Sequence, residues 1–128
     1  MLITINRAEL LAAVRRASFI APSDSPLEVL KGVLLETDGT SGMLTVTSTN
    51  LEVSLAERLP CTVHEDGALV FTAKTLAEML QRLPEETVEL CRRENRGRMA
   101  LLSGCASYSV DVWDMGAFPK PDLPFPED

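Results

Sequence analysis

The 128-residue chain is poor in the residues from which enzymes usually build a site. Its one histidine, His64, sits in Thr62-Val63-His64-Glu65-Asp66 with no nucleophile or ligand cluster beside it in sequence. A solvated loop residue is therefore expected, not a general base. No GxxxxGK[ST] or GxGxxG segment is present to cradle a nucleotide phosphate. Three cysteines, Cys61, Cys91 and Cys105, are an odd number without CxxC spacing. That disfavours a disulfide framework or a zinc ribbon and points to reduced thiols in strands. Asp111 and Asp114 lack a third carboxylate or a histidine nearby and read as strand-edge and turn residues. No catalytic residue, cofactor or metal is expected; a small hydrolase or nuclease would have to rest on His64 or Asp111.

Long apolar runs are missing as well. None approaches the ~20 residues that span a bilayer, so no membrane partner is expected. The opening Met1-Leu2-Ile3-Thr4-Ile5 lacks the basic start, apolar stretch and cleavage site of a signal peptide. A cytoplasmic location follows as the expectation. Net positive charge is absent too: the formal charge of -7 argues against a surface that binds nucleic acid all over, while leaving room for one basic face. What the chain does have is 45% hydrophobic residues, enough for the core of one domain.

That apolar content is arranged twice in the same order. Met1 to Ile5 reads as a strand, and Asn6 as the N-cap of a helix over about 7–18 whose stripe is Leu10, Ala13, Val14 and Ala17. A loop with Pro22, Ser23, Asp24, Ser25 and Pro26 follows. Three strands come next: Val33–Thr37, Met43–Thr47, and a half-exposed strand in which Leu51, Val53 and Leu55 alternate with polar or small residues. The pattern then restarts. Ala68–Phe71 is a strand, Thr72 a second cap, and Leu76, Met79, Leu80 and Leu83 a second helical stripe ending before Pro84. Strands Val88–Cys91, Met99–Leu102 and Tyr108–Val112 complete it, with the turn Glu94-Asn95-Arg96-Gly97 after the first. Ile5 aligns with Phe71, Asn6 with Thr72, Leu10 with Leu76, Val14 with Leu80 and Arg16 with Arg82. The expected fold is α+β, a duplicated strand-helix-three-strand unit with two helices packed on two antiparallel sheets.

At roughly 100° per residue the side opposite the first stripe shows Ala8, Ala12, Arg15 and Arg16. The second helix shows Lys74, Glu78, Gln81 and Arg82 there. One reading is a shared surface for phosphates, bound without regard to base sequence. The other is an ordinary solvated helix face. No aromatic interleaves the charges, so base stacking is not expected.

The order of these segments resembles the first domain of the bacterial sliding clamp, the beta subunit of DNA polymerase III. The resemblance runs nearly end to end. It rests on Thr4-Ile5-Asn6-Arg7-Ala8-Glu9-Leu10-Leu11, on Leu27–Leu35 as a first long strand, and on Thr47-Ser48-Thr49-Asn50-Leu51-Glu52 as the family's Thr-Asp-Leu-Glu turn. Ala73-Lys74 and Leu83-Pro84-Glu85 bracket the second helix, and Ser103–Val110 with Ala117-Phe118-Pro119 match the closing strands and exit. The resemblance implies the processivity (DNA clamp) fold and a ring of six such domains around duplex DNA, with helices lining the hole. It implies that Arg15, Arg16, Lys74, Gln81 and Arg82 face the DNA and that Tyr108 and Val110 lie at the subunit interface. Polymerase and clamp loader would bind through other domains. Plain alternating core is the other reading of Tyr108 and Val110. The family often has a basic residue near the position of Asp24; this chain has Ser23, Asp24 and Ser25 there instead, so no loop contact to DNA is expected.

Residues 1–117 are thus expected to form the clamp domain. Residues 118–128, with Pro119, Pro121, Pro124 and Pro126, are expected to form a Pro-rich linker toward a second domain. A chain stopping at Asp128 is expected to be a piece of a longer protein. The alternative is a single-domain clamp homologue that binds or regulates a full clamp through an exposed edge strand.

Overall fold

The computed structural model describes residues 1–21, 28–92, 97–113, 116, 118 and 119. The Pro22–Pro26 loop with Asp24, residues 94–96 of the expected turn, Asp114, Ala117 and the tail from Lys120 lie outside the described residues. The chain runs β1 (Leu2–Asn6), α1 (Arg7–Ser18), a 3-10 turn (Glu28–Lys31), β2 (Gly32–Asp38), β3 (Met43–Thr49), β4 (Ser54–Pro60) and β5 (Thr62–Glu65). It continues with β6 (Ala68–Thr72), α2 (Ala73–Arg82), β7 (Thr87–Cys91), β8 (Arg98–Ser103) and β9 (Ala106–Asp111).

The strands form two antiparallel sheets, ordered β5-β1-β7-β8-β9 and β4-β3-β2-β6. The duplication is visible here, with an exchange: each repeat's first strand joins the other repeat's sheet. β1 pairs with β7, placing Ile5 opposite Val88 and Asn6 opposite Thr87. β6 pairs with β2, placing Phe71 opposite Val33 and Thr72 opposite Gly32. The correspondence of Ile5 with Phe71 is therefore kept in register. It extends past the strands, since Thr4 faces Thr62 of β5 and the corresponding Val70 bridges Trp113.

One core joins both helices to the inner faces of both sheets. Ile3, Val88, Leu90, Met99 and Leu101 come from one sheet, and Val33, Leu35, Leu44, Leu69 and Phe71 from the other. Leu10, Val14, Leu76 and Leu80 descend on them from the helices, all fully buried. At roughly 1.5–3 kcal/mol per buried large apolar side chain, this shared core is the main force holding the halves together. A second, small cluster lies on the other face of the β4-β3-β2-β6 sheet, where Phe118 and Trp113 cover Leu34 and Val70.

The helices start and stop as their sequence dictates, with one exception. The Asn6 side chain accepts a hydrogen bond from the Glu9 amide at 2.9 Å, the N-cap expected from sequence. Thr72 occupies the corresponding position before α2 but makes no side-chain capping bond. The carboxyl end of α2 is capped from a distance. Arg7 donates from Nη1 to the Leu80 carbonyl (2.9 Å) and from Nε to the Glu85 carbonyl (2.8 Å), using one of the carbonyls a helix end leaves without partners.

Three expected elements are corrected. The run Leu27–Leu35 is not one long strand, because Glu28–Lys31 is a 3-10 turn and β2 begins at Gly32. The alternation Leu51-Val53-Leu55 is not a strand face: β4 begins at Ser54, and Leu51 and Val53 stand out from the preceding turn at 64% and 52% exposure. Asn50 causes this, because its side-chain oxygen accepts from the amides of Glu52 (2.9 Å) and Val53 (2.7 Å). Such local bonds compete with a strand ladder. His64 lies in β5 and not in a loop, its Nε2 at 3.1 Å from Thr4 Oγ1 on β1, and it is exposed. Phe118 is buried at 5% exposure.

Candidate nucleic-acid interface

All five helix residues singled out from the sequence, Arg15, Arg16, Lys74, Gln81 and Arg82, are exposed. Their helices lie against each other and run in opposite directions: Arg7 at the start of α1 reaches the end of α2, while Ser18 and Ala21 at the close of α1 sit beside Lys74 near the start of α2. The exposed sides of both helices therefore belong to one layer. In that layer four cations stand against the carboxylates of Glu9 and Glu78, on a protein that is acidic overall.

The cations are not equivalent. Lys74 and Gln81 line a cavity of about 340 Å³ between α2 and the end of α1, together with Thr72, Ala73, Ala77 and Glu78. Arg15 holds the position in the first repeat that Gln81 holds in the second. Arg16 lies on the flank that faces β4, and Arg82, its counterpart in the second repeat, is exposed. Arg16 is bound there: its Nε donates to Glu57 Oε1 at 2.5 Å and its Nη2 to Glu57 Oε2 at 2.7 Å, a bidentate pair with β4. That hydrogen bond raises the Arg16 pKa above its ordinary value. Arg15, Lys74 and Arg82 make no ion pair among the described residues.

Pairing registers explain the difference between the flanks. Glu57 on β4 lies opposite Val46, and in the other repeat Tyr108 on β9 lies opposite Leu101, the counterpart of Val46. Where Arg16 meets a carboxylate in the first repeat, the corresponding strand position of the second repeat holds a tyrosine. Sequence reasoning missed Glu57 because the expected third strand centred on Leu51, Val53 and Leu55, whereas β4 runs on to Pro60.

Tyr108 and Val110 are half-buried and pack against the main core. They do so from β9, the last strand of its sheet, whose outer edge has no partner among the described residues. Both readings of these residues thus share one strand. Among the described residues no group of three or more His, Cys, Asp or Glu could hold a metal ion, and no helix is long and apolar enough to cross a membrane.

The family model described as DNA polymerase III beta subunit, N-terminal domain, matches residues 1–123. A beta sliding clamp of Streptomyces coelicolor is 26% identical over 125 residues, covering 97% of this chain and 32% of that protein. One of Chlamydia pneumoniae is 28% identical over 125 residues, covering 96% and 33%. The crystal structure of a DNA polymerase sliding clamp from Caulobacter crescentus superposes with a TM-score of 0.88 at 24% identity, covering 96% of this chain and 33% of that one, a likeness of fold. The chain spans about a third of the length of these relatives.

Proposed function

The chain belongs to the family of DNA polymerase III beta subunits, as its N-terminal domain, and from that premise we propose that it forms one segment of a ring around duplex DNA. The ring holds the replicative polymerase on its template and catalyses nothing itself. The observation that carries this reading is the single layer of two helices, cationic on its exposed side, on an otherwise acidic body. A sliding surface needs attraction to phosphates without base-specific minima, and scattered Arg and Lys on rigid helices supply that.

In this reading Arg15, Lys74, Gln81 and Arg82 face the DNA, with Arg16 on the same layer. Tyr108 and Val110 steady β9, whose open edge continues the sheet into a neighbouring domain or subunit. Polymerase and clamp loader bind through domains outside these 128 residues, and the assembly works in the cytoplasm.

The test is duplex binding by fluorescence anisotropy over a range of salt concentrations. The chain binds weakly and without base preference, because one segment of a ring makes few phosphate contacts. The plot of log affinity against log salt falls by about 0.9 for each phosphate neutralised. Replacing Arg15, Lys74 and Arg82 together by Gln flattens that slope and weakens binding. An unchanged slope in the triple variant rejects the helix layer as the DNA face.

A further inference from the structure

We propose that Glu57 is a positioning residue that restrains Arg16, so that the two pseudo-symmetric flank arginines, Arg16 and Arg82, contribute unequally to duplex binding. The inference rests on the DNA-facing reading above and assigns a regulating role within that surface to a residue on neither helix.

Three observations carry it. The Glu57 carboxylate occupies the Nε–Nη2 edge of the Arg16 guanidinium through a bidentate pair, in the way a backbone phosphate would. Glu57 is the better sheltered partner, 22% exposed against 55% for Arg16, so the carboxylate is the fixed member and the arginine is drawn to it. The counterpart of Glu57 in the other repeat is Tyr108, which carries no negative charge, while Arg82 is exposed and without an ion pair among the described residues.

The consequence is electrostatic. A phosphate approaching Arg16 meets a neutralised pair whose carboxylate repels it, whereas one approaching Arg82 meets a whole charge. Binding at Arg16 then releases fewer counterions than binding at Arg82. The effect is to keep one flank of the helix layer shallow, which suits a surface that must hold DNA and still move along it.

The experiment measures duplex affinity and its salt slope for the unaltered chain and for Glu57→Gln, Arg16→Gln, Arg82→Gln and the Glu57→Gln/Arg16→Gln double variant, with thermal unfolding as the fold control. Glu57→Gln keeps the shape and removes the charge. It is expected to tighten binding on the order of threefold at low salt and to steepen the slope by up to about 0.9. Arg16→Gln costs less than Arg82→Gln in the original background, and as much as it once Glu57 is Gln. A pair that merely fastened α1 to β4 would shift the melting temperature and leave the slope where it was. Glu57→Gln with unaltered affinity and slope overturns the proposal, as do equal losses from Arg16→Gln and Arg82→Gln, a comparison that holds even if Glu57→Gln does not fold. If the unaltered chain shows no salt-dependent binding, the DNA-facing reading itself fails first.

Discussion

Leu51 is held at φ +78°, a left-handed backbone that costs a side-chain-bearing residue roughly 1–2 kcal/mol. It is also mostly exposed, so its side chain recovers little of that cost by burial. The turn tolerates it because Asn50 and Thr49 hold the surrounding amides, Thr49 Oγ1 accepting from the Leu51 amide at 3.0 Å. Leu51→Gly is therefore expected to raise stability by about 0.5–1 kcal/mol, after allowing for the greater freedom of glycine in the unfolded chain. Chemical denaturation measures it, and a loss of stability would mean that the leucine side chain makes contacts that matter. Glycine is required elsewhere for room: a Cβ on Gly67 would stand 2.5 Å from that of Met1, which is buried at 7% exposure.

Among the elements, α1 and α2 are related by the duplication but stabilised differently. α1 has its Asn6 cap, while Thr72 provides α2 with none. α2 depends instead on Arg7 at its other end, where the guanidinium meets the Leu80 carbonyl and also ties the following Glu85 segment to α1. Hydrogen bonds from a charged donor contribute about 1.5–3 kcal/mol each, discounted here because Arg7 is partly exposed. Arg7→Met is expected to lower stability by roughly 1–3 kcal/mol. Amide hydrogen exchange should show the loosening first at the end of α2 and the Pro84–Glu86 segment. Uniform loosening over the whole protein would show that Arg7 supports the core and not a helix end.

At the scale of the whole molecule the exchange of first strands matters most. β1 sits between β5 of its own half and β7 of the second repeat, and β6 joins the strands of the first, so neither half owns a complete sheet. The shared core adds to this, since Leu10 and Val14 pack in one cluster with Leu76 and Leu80. Fragments 1–66 and 67–128 are each expected to lack cooperative unfolding alone and to regain it when mixed, as followed by circular dichroism. A half that melts cooperatively by itself would show that the repeats are separate units.

Residue spacing alone determined the two helices, most of the strands, the duplication and which helix residues are exposed. Each follows from a period of 3.6 or 2 along the chain, together with local signals such as Asn6 before Arg7-Ala8-Glu9. The bounds of β4 and the strand character of Thr62–Glu65 escaped that reading. Side-chain bonds from Asn50 closed a turn where an apolar alternation suggested a ladder, and β5 takes its conformation from pairing with β1. The tertiary structure alone decided which repeat each first strand joins and which cation is paired. Arg16 and Glu57 are 41 residues apart, and Arg7 and Leu80 are 73 apart, so no local pattern links them. A charge pair across a fold is set by packing of distant segments, and the sequence holds its two members without stating that they meet.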